Sequence, residues 1–497
     1  MSERFPNRNL GDIVAKHAQT SSAYVDTAIP EAFAHSTIDD LAARLSTAFS
    51  QRFARGDRVA LIARNGIDFT LSYLGLMRAG LVPVPINYRQ PKETVEFILG
   101  DAAVRGILFE DDFADLVPKD LVAIAFGSTE FENLKTSPPM NAVETLPGEL
   151  CEILYTSGST GKPKGVPLDH HGQIWALDLF LDTMGDADER TAVVAPTYHM
   201  NGLFFTTVAL ALGWQTYSMP AFDARAFLKL IAREKITLLS GIPTMFAMMA
   251  RETDLLESLD FSSVTGVIIG SAPLTNALID RVKGIFPKAD IRNSYGTTES
   301  GPAMFGPHPE GLERPPLAIG YPYPGVQWKL VGGDDCQGRL LTKTPAVLDH
   351  YLNLPDVTDS KLTDGWYDTG DIVRRDEDGW FYYVSRADDM FVCGGENIYP
   401  GEVEKLLERH PAVLQAAVLP VEDTIKGAIP IGFVTLTSGA SATVDELKQF
   451  TLENGPAYAH PRTIIIRDSL PIGGTHKVDR KALEHDAQEA GKALLRG

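Results

Sequence analysis

The chain has 497 residues, a formal net charge of −20, and a composition that is 44% hydrophobic and 22% charged. That length exceeds what one hydrophobic core supports, so two or more domains are expected of an otherwise ordinary globular composition. The acidic balance argues against a nucleic-acid or anionic-membrane surface, and an anionic substrate has to be drawn in by local positive charge. Cys151, Cys336 and Cys393 are dispersed and form neither a disulfide framework nor a metal spacing. The start, Met1 to Pro6, has no apolar leader, and the most apolar run, 202–214, is too short to span a bilayer. A cytoplasmic protein without a membrane span is expected, as a monomer or homodimer.

In chain order, Ser36-Thr37-Ile38-Asp39 reads as a capped helix start that continues through 42–49. Residues 57–62 read as a short buried strand, 68–78 as a helix ending at Gly80, and 81–86 as another strand. The same alternation recurs with strands at 191–195, 237–240, 266–270 and 290–295, which predicts a mostly parallel sheet. From Gly320 the character changes, and short strands at 328–331, 338–341 and 379–383 suggest a small antiparallel β subdomain. After Asp388 the chain restarts with a strand at 390–393, a turn at 394–397 and a helix opening near Tyr399. The expected fold class is therefore α/β: a large N-terminal domain over 1–387 and a small α+β C-terminal domain over 388–497.

The densest motif is Tyr155-Thr156-Ser157-Gly158-Ser159-Thr160-Gly161-Lys162-Pro163-Lys164-Gly165. A buried strand, 152–155, runs into a loop whose glycines bare backbone amides and whose hydroxyls and lysines surround them, a cradle for phosphate oxygens. Pro163 after Lys162 departs from the Walker A pattern. Tyr295-Gly296-Thr297-Thr298-Glu299 lies at the carboxyl end of a predicted strand, where open α/β sheets gather ligands. Tyr367-Asp368-Thr369-Gly370-Asp371 adds a second carboxylate, whose two oxygens can accept two O–H donors.

The loop and the motifs that follow it resemble the acyl-adenylate-forming superfamily, and their order from Tyr155 to Arg480 extends the resemblance over nearly the whole chain. The resemblance implies an ATP-dependent carboxylic acid:CoA ligase that makes an acyl-adenylate and then a thioester, with Mg²⁺ as cofactor and ATP and CoA as substrates. It assigns ATP and AMP to Thr156, Ser157, Gly158, Ser159, Thr160, Gly161, Lys164, Tyr295, Gly296, Thr297, Thr298, Asp371 and Arg386. Tyr295 would stack near the adenine, Thr298 touch phosphate, Glu299 hold Mg²⁺, and Asp371 with Arg386 take the ribose. Leu470-Pro471-Ile472-Gly473-Gly474-Thr475-His476-Lys477 is similar to the terminal motif that carries the catalytic lysine, here Lys477, although His476 replaces the usual glycine. Gly394-Gly395-Glu396-Asn397 resembles the signature of a mobile C-terminal domain that lines a CoA tunnel, with Asp388 as its hinge. His199 would flank the acyl pocket as a catalytic residue, together with Gly202, Gly270, Ser271, Ala272 and Pro273, small residues that leave room for the acid. A stand-alone adenylation enzyme that loads a carrier protein, and a non-catalytic sensor on the same fold, stay open as alternatives.

Overall fold

The computed structural model describes residues 8–14, 22–29, 31–156, 162–184, 188–423, 425–474 and 477–496, with the side chains of 494–496 outside that description. Four strands near the start, Arg58–Ile62, Val82–Pro85, Gly106–Phe109 and Val122–Ala125, form an all-parallel sheet. Most of their residues are buried, as parallel strands covered on both faces require. The helix before them spans His35–Ser50, and its N-cap, Ala34, makes no side-chain cap bond. The expected cap at Ser36 is therefore corrected: strand Glu31–Ala34 runs straight into the helix and leaves Ser36 and Thr37 inside the first turn.

A second sheet has seven strands, in the order Asp290–Ser294, Gly266–Gly270, Leu238–Gly241, Arg190–Val193, Gln215–Ser218, Ala23–Asp26 and Glu31–Ala34, parallel except at the last pair. The apolar run near 202 is helix Met200–Leu212, buried almost all round, which is why it lacks an amphipathic stripe. Between these sheets, Leu150–Thr156 pairs antiparallel with Lys164–Asp169 in a two-stranded hairpin.

The third sheet is antiparallel and is centred on the ten-residue strand Trp366–Arg375, flanked by Phe381–Arg386 and Gln337–Lys343. Among the described residues, strands beyond 390 pair only with one another: Val413–Asp423 with Gly427–Leu436, and that strand with Phe391–Cys393 and, in parallel, Thr463–Arg467. They enclose a separate core that includes Phe433, Leu407 and Leu483. The small C-terminal domain thus carries its own hydrophobic nucleus.

The two parts meet across polar contacts. Arg281, on helix Asn276–Ile285, donates to the carbonyls of Leu414 (3.0 Å) and Val413 (2.6 Å) and to Thr437 Oγ1 (3.0 Å). Lys405 Nζ donates to the Tyr383 carbonyl at 3.0 Å, and Glu408, which accepts the Ala416 amide within the C-terminal part, accepts across the interface from the Thr275 hydroxyl. Among the described residues, no helix is long and apolar enough to cross a membrane.

Candidate functional site

A cavity of about 1580 Å³ opens where the sheets converge, walled on one side by the C-terminal domain. Thr156 and Lys164, partners across the 150–169 hairpin, reach it from below, and Lys164 Nζ lies 5.4 Å from the Tyr351 ring centroid. The intervening loop, Ser157, Gly158, Ser159, Thr160 and Gly161, lies outside the described residues.

Tyr295 to Glu299 leave the carboxyl end of strand Asp290–Ser294 and turn sharply, with Thr297 bridged to Gly301. The turn needs glycine at 296, where an added Cβ would stand 2.2 Å from the Pro302 carbonyl oxygen. Glu299 is thereby aimed into the cavity, where Oε1 accepts from the Tyr351 hydroxyl at 3.1 Å. Tyr351 and Tyr367 share a further hydroxyl–hydroxyl bond of 3.1 Å. Burial raises the carboxyl pKa of Glu299, while the Tyr351 bond and the Lys164 charge oppose that shift.

Asp371 sits directly across from Arg386 in neighbouring strands. Arg386 Nη1 donates to Asp371 Oδ1 (3.0 Å) and to the Thr369 carbonyl (2.7 Å), and the Tyr295 hydroxyl donates to Asp371 Oδ2. Gly370, at φ 71°, keeps the space over which this guanidinium lies, since a Cβ there would come within 2.8 Å of it. Both Asp371 oxygens are partnered, yet each keeps a lone pair for another donor. Burial raises its pKa against the pull of Arg386.

Lys477 enters from the C-terminal domain. Its carbonyl accepts from Gly473 N–H at 2.8 Å, and the Gly474 carbonyl accepts from the Tyr198 hydroxyl at 2.8 Å, so the segment is tied to the cavity wall. The ammonium is buried, which lowers its pKa; the nearby Asp371 charge favours the charged form, Arg386 opposes it, and Glu299 again favours it. His476, in the same motif, lies outside the described residues.

On the opposite wall His199 caps helix Met200–Leu212, its Nδ1 accepting from the Asn201 amide at 3.5 Å. Burial, reinforced by the Lys477 charge, pushes its pKa down to about 3, so the ring is neutral at pH 7. Asn201 Nδ2 donates to Ser271 Oγ at 2.9 Å, and Ser271 holds φ 64°, a left-handed conformation uncommon for a non-glycine residue. Gly270, Ser271, Ala272 and Pro273 line the cavity as expected. Gly202 does not line it: a Cβ there would meet the Ala195 and Pro196 carbonyls at 2.4 Å, so its smallness serves the helix start and not the acid. Gly270 also answers to packing, being 2.8 Å by the same measure from the Ser294 carbonyl.

Asp388 stands at the rim, exposed, 3.7 Å from Arg386. Gly394 and Gly395 lie elsewhere, at an exposed hairpin turn with φ of 62° and 91° and no neighbour within 4 Å of an added Cβ. The sequence motifs did not reveal Tyr351, Tyr367, Tyr198 or Arg281. Tyr367 opens the motif that ends at Asp371 and Tyr198 adjoins His199, but a motif does not show the bonds they make: Tyr351, Tyr198 and Arg281 have partners at least 52 residues away, and Tyr367 shares its hydroxyl bond with Tyr351.

The model of the AMP-binding enzyme family matches residues 13–352, and that of the AMP-binding enzyme C-terminal domain matches 402–477. The chain belongs to this family, within the adenylate-forming acyl- and aryl-CoA ligase superfamily, and its class is AMP-forming acid–thiol ligase. It is 31% identical over 457 residues to the fatty acid–[acyl-carrier-protein] ligase ScoC of Streptomyces coeruleorubidus, covering 86% of each chain. A feruloyl-CoA synthase from an Amycolatopsis species is 30% identical, with 85% of this chain and 87% of that protein covered. In fold it is similar to the anthranilate CoA ligase AuaEII solved with anthranoyl-AMP, at TM-score 0.88 and 24% identity over 97% of this chain and 98% of that one.

Proposed function

We propose that the protein activates a carboxylic acid with ATP, releasing pyrophosphate, and then transfers the acyl group from the adenylate to coenzyme A, releasing AMP. The observation that carries this reading is the convergence of Lys477, from one domain, on Asp371, Arg386 and Glu299, from the other. The acid's carboxylate attacks the α-phosphorus in line, and two anions must be brought together for that to happen. Catalysis is therefore positioning plus charge neutralisation. Lys477 supplies a cation within the cavity, where low dielectric strengthens it. The residues also fit Mg²⁺. Glu299 is a buried carboxylate facing the cavity, and no cluster of three or more His, Cys, Asp or Glu residues that could hold a metal occurs among the described residues. This suits an ion that takes one or two carboxylates alongside phosphate and water. When bound at Glu299, Mg²⁺ would neutralise charge on the triphosphate. Asp371 and Arg386 hold the ribose, Thr156, Lys164, Thr297 and Thr298 face phosphate, and Tyr295 borders the adenine. Neutral His199, with Nδ1 turned to the Asn201 amide, presents Nε2–H to the acid without adding charge.

For the second step the thiol must attack the acyl carbon while AMP leaves. Lys477 lies buried in the cavity wall in the arrangement described, and the Gly394-Gly395 turn is not part of that lining, so one face of the C-terminal domain cannot serve both steps. In this proposal the domain boundary falls at Asp388, and a hinge motion there exchanges Lys477 for the Gly394-Gly395 turn. A carrier-protein thiol is the second reading, favoured by the likeness to ScoC; a non-catalytic sensor is disfavoured because the reactive side chains are all present. Cytoplasmic residence, where ATP and CoA are at hand, belongs to the same proposal. The test is pyrophosphate release over aryl, cinnamic and medium-chain acids, followed by offering the adenylate to free CoA or to a phosphopantetheinylated carrier. Acid-dependent release with thioester formation on CoA is expected. Release without acid dependence refutes the ligase reading, and transfer to the carrier alone replaces CoA as acceptor.

A further inference from the structure

Charge is distributed unevenly around the cavity. Its charged lining side chains among the described residues are Lys164, Glu299 and residues from 361 onward, Asp371, Arg386 and Lys477 among them. The stretch 180–294 contributes Phe180, Phe204, Thr244, Ala247, Ile268 and others to the lining, and among the described residues it contributes no Asp, Glu, Lys or Arg. His199 is neutral there. We propose that the acid substrate is a monocarboxylic acid whose body, beyond the reacting carboxylate, carries no charge. This inference rests on the ligase reading and narrows its substrate class.

The physical ground is desolvation. A second carboxylate or an ammonium taken into this half of the cavity gives up its water, and no counter-charge stands ready to replace it. Cations on the adjoining segment are engaged elsewhere: Arg292 pairs with Asp290, and Arg314 donates to the carbonyls of Asn293 and Gly306. The polar side chains of this wall are also largely spent on the fold. Asn293 Nδ2 donates to the Leu317 carbonyl, and Asn201 Nδ2 to Ser271. Asn201 Oδ1 is buried without a partner. It is an acceptor, which repels a carboxylate tail, and one neutral acceptor does not offset the desolvation of an ammonium. Apolar and aromatic surface remains, including the edge-to-face pair of Phe180 and Phe204 with centroids 5.7 Å apart, which suits an aliphatic or aromatic body.

Size-matched pairs test this on the unaltered protein. Suberate is compared with its monomethyl ester, terephthalate with monomethyl terephthalate, and 8-aminooctanoate with its N-acetyl derivative; octanoate and benzoate serve as references. kcat/KM for acid-dependent pyrophosphate release is measured for each. The uncharged member of each pair used is expected to lead by at least ~100-fold, the discrimination available when a buried charge goes unpaired. Equal rates within the pairs, or preference for a diacid or amino acid, overturn the inference while leaving the ligase reading intact. No acid-dependent release from any acid overturns the ligase reading, and the inference falls with it.

Discussion

Arg281→Ala separates the two half-reactions without touching the cavity. The guanidinium makes three bonds across the domain interface, at 3.0, 2.6 and 3.0 Å. A bond from a charged donor contributes about 1.5–3 kcal/mol when buried. Arg281 is only half shielded from water, which can replace part of what is lost, so about 1 kcal/mol per bond is the appropriate scale. The sum, about 2–3 kcal/mol, lowers the weight of the docked arrangement roughly 30- to 150-fold relative to any undocked one. On the proposed domain exchange, Lys477 reaches Asp371 only in the docked arrangement. Adenylation, followed by acid-dependent ATP–pyrophosphate exchange, should therefore fall tenfold or more. Thioester formation from supplied acyl-adenylate should hold or quicken, because the domain is freer to leave. Arg281→Lys, able to keep one bond, should lie between. An equal fall in both half-reactions, or no change in either, would refute the latch. Unfolding is monitored alongside, since a general loss of structure would lower both steps together.

Lys477→Ala should cost adenylation roughly 100- to 1,000-fold while sparing transfer from supplied adenylate. In the wild type its lowered pKa should bring the alkaline fall in adenylation kcat/KM below the ordinary lysine range, and Lys477→Arg should remove that limb from the pH profile. Glu299→Gln is expected to raise the Mg²⁺ concentration needed for half-maximal rate and to slow adenylation, read by Mg²⁺ titration; an unchanged titration removes Glu299 from the metal site. His199→Ala should change the ranking of acids by kcat/KM more than the KM for ATP; a uniform loss over all acids with a raised ATP KM speaks against the acyl side. Glu152, buried on strand Leu150–Thr156 of the hairpin and bonded to the Tyr73 hydroxyl, has its pKa raised by burial from 4.5 to about 7. The native state thus binds the extra proton between those values, and its contribution to stability falls as pH rises through that window. Glu152→Gln should then stabilise the protein by roughly 3 kcal/mol at pH 8 and by little at pH 4.5, measured by thermal or urea unfolding; equal effects at both pH values would contradict the shift.

Much of the parallel framework was legible because buried strands betray themselves by short apolar runs between turn residues. The expectation at 57–62 became Arg58–Ile62, that at 81–86 became Val82–Pro85, and 266–270 matched Gly266–Gly270. The strand Lys164–Asp169 was not legible, since Pro167 and the charged ends mask its alternation, and with it went the hairpin it forms with Leu150–Thr156. The helix start at His35 escaped for another reason. Ser36 and Thr37 advertise a cap that the preceding strand, by feeding directly into the helix, leaves unused. The charged residues Lys164, Glu299, Asp371, Arg386 and Lys477, which line the cavity, were singled out through motifs. Their supports were not, because Tyr351 meets Glu299 across 52 residues and Arg281 meets Val413 across 132. Such contacts exist only once the chain is folded.

The separation of charge along the cavity also bears on how such a chain can change across generations. The charged side chains that line the cavity, to which the proposed mechanism gives the triphosphate and the metal, are drawn from Lys164, Glu299 and positions from 361 onward, whereas the stretch 180–294 forms the body of the other wall. Variation in that stretch can be sampled by selection without disturbing the phosphate chemistry. Two of its small residues are exceptions. Gly202 and Gly270 are held by carbonyls that a Cβ would strike, so they are expected to stay fixed while Phe180, Thr244, Ala247 and Ile268 drift. Diversification of the accepted acid is thus open at the side chains that face the void and closed at the backbone that frames it.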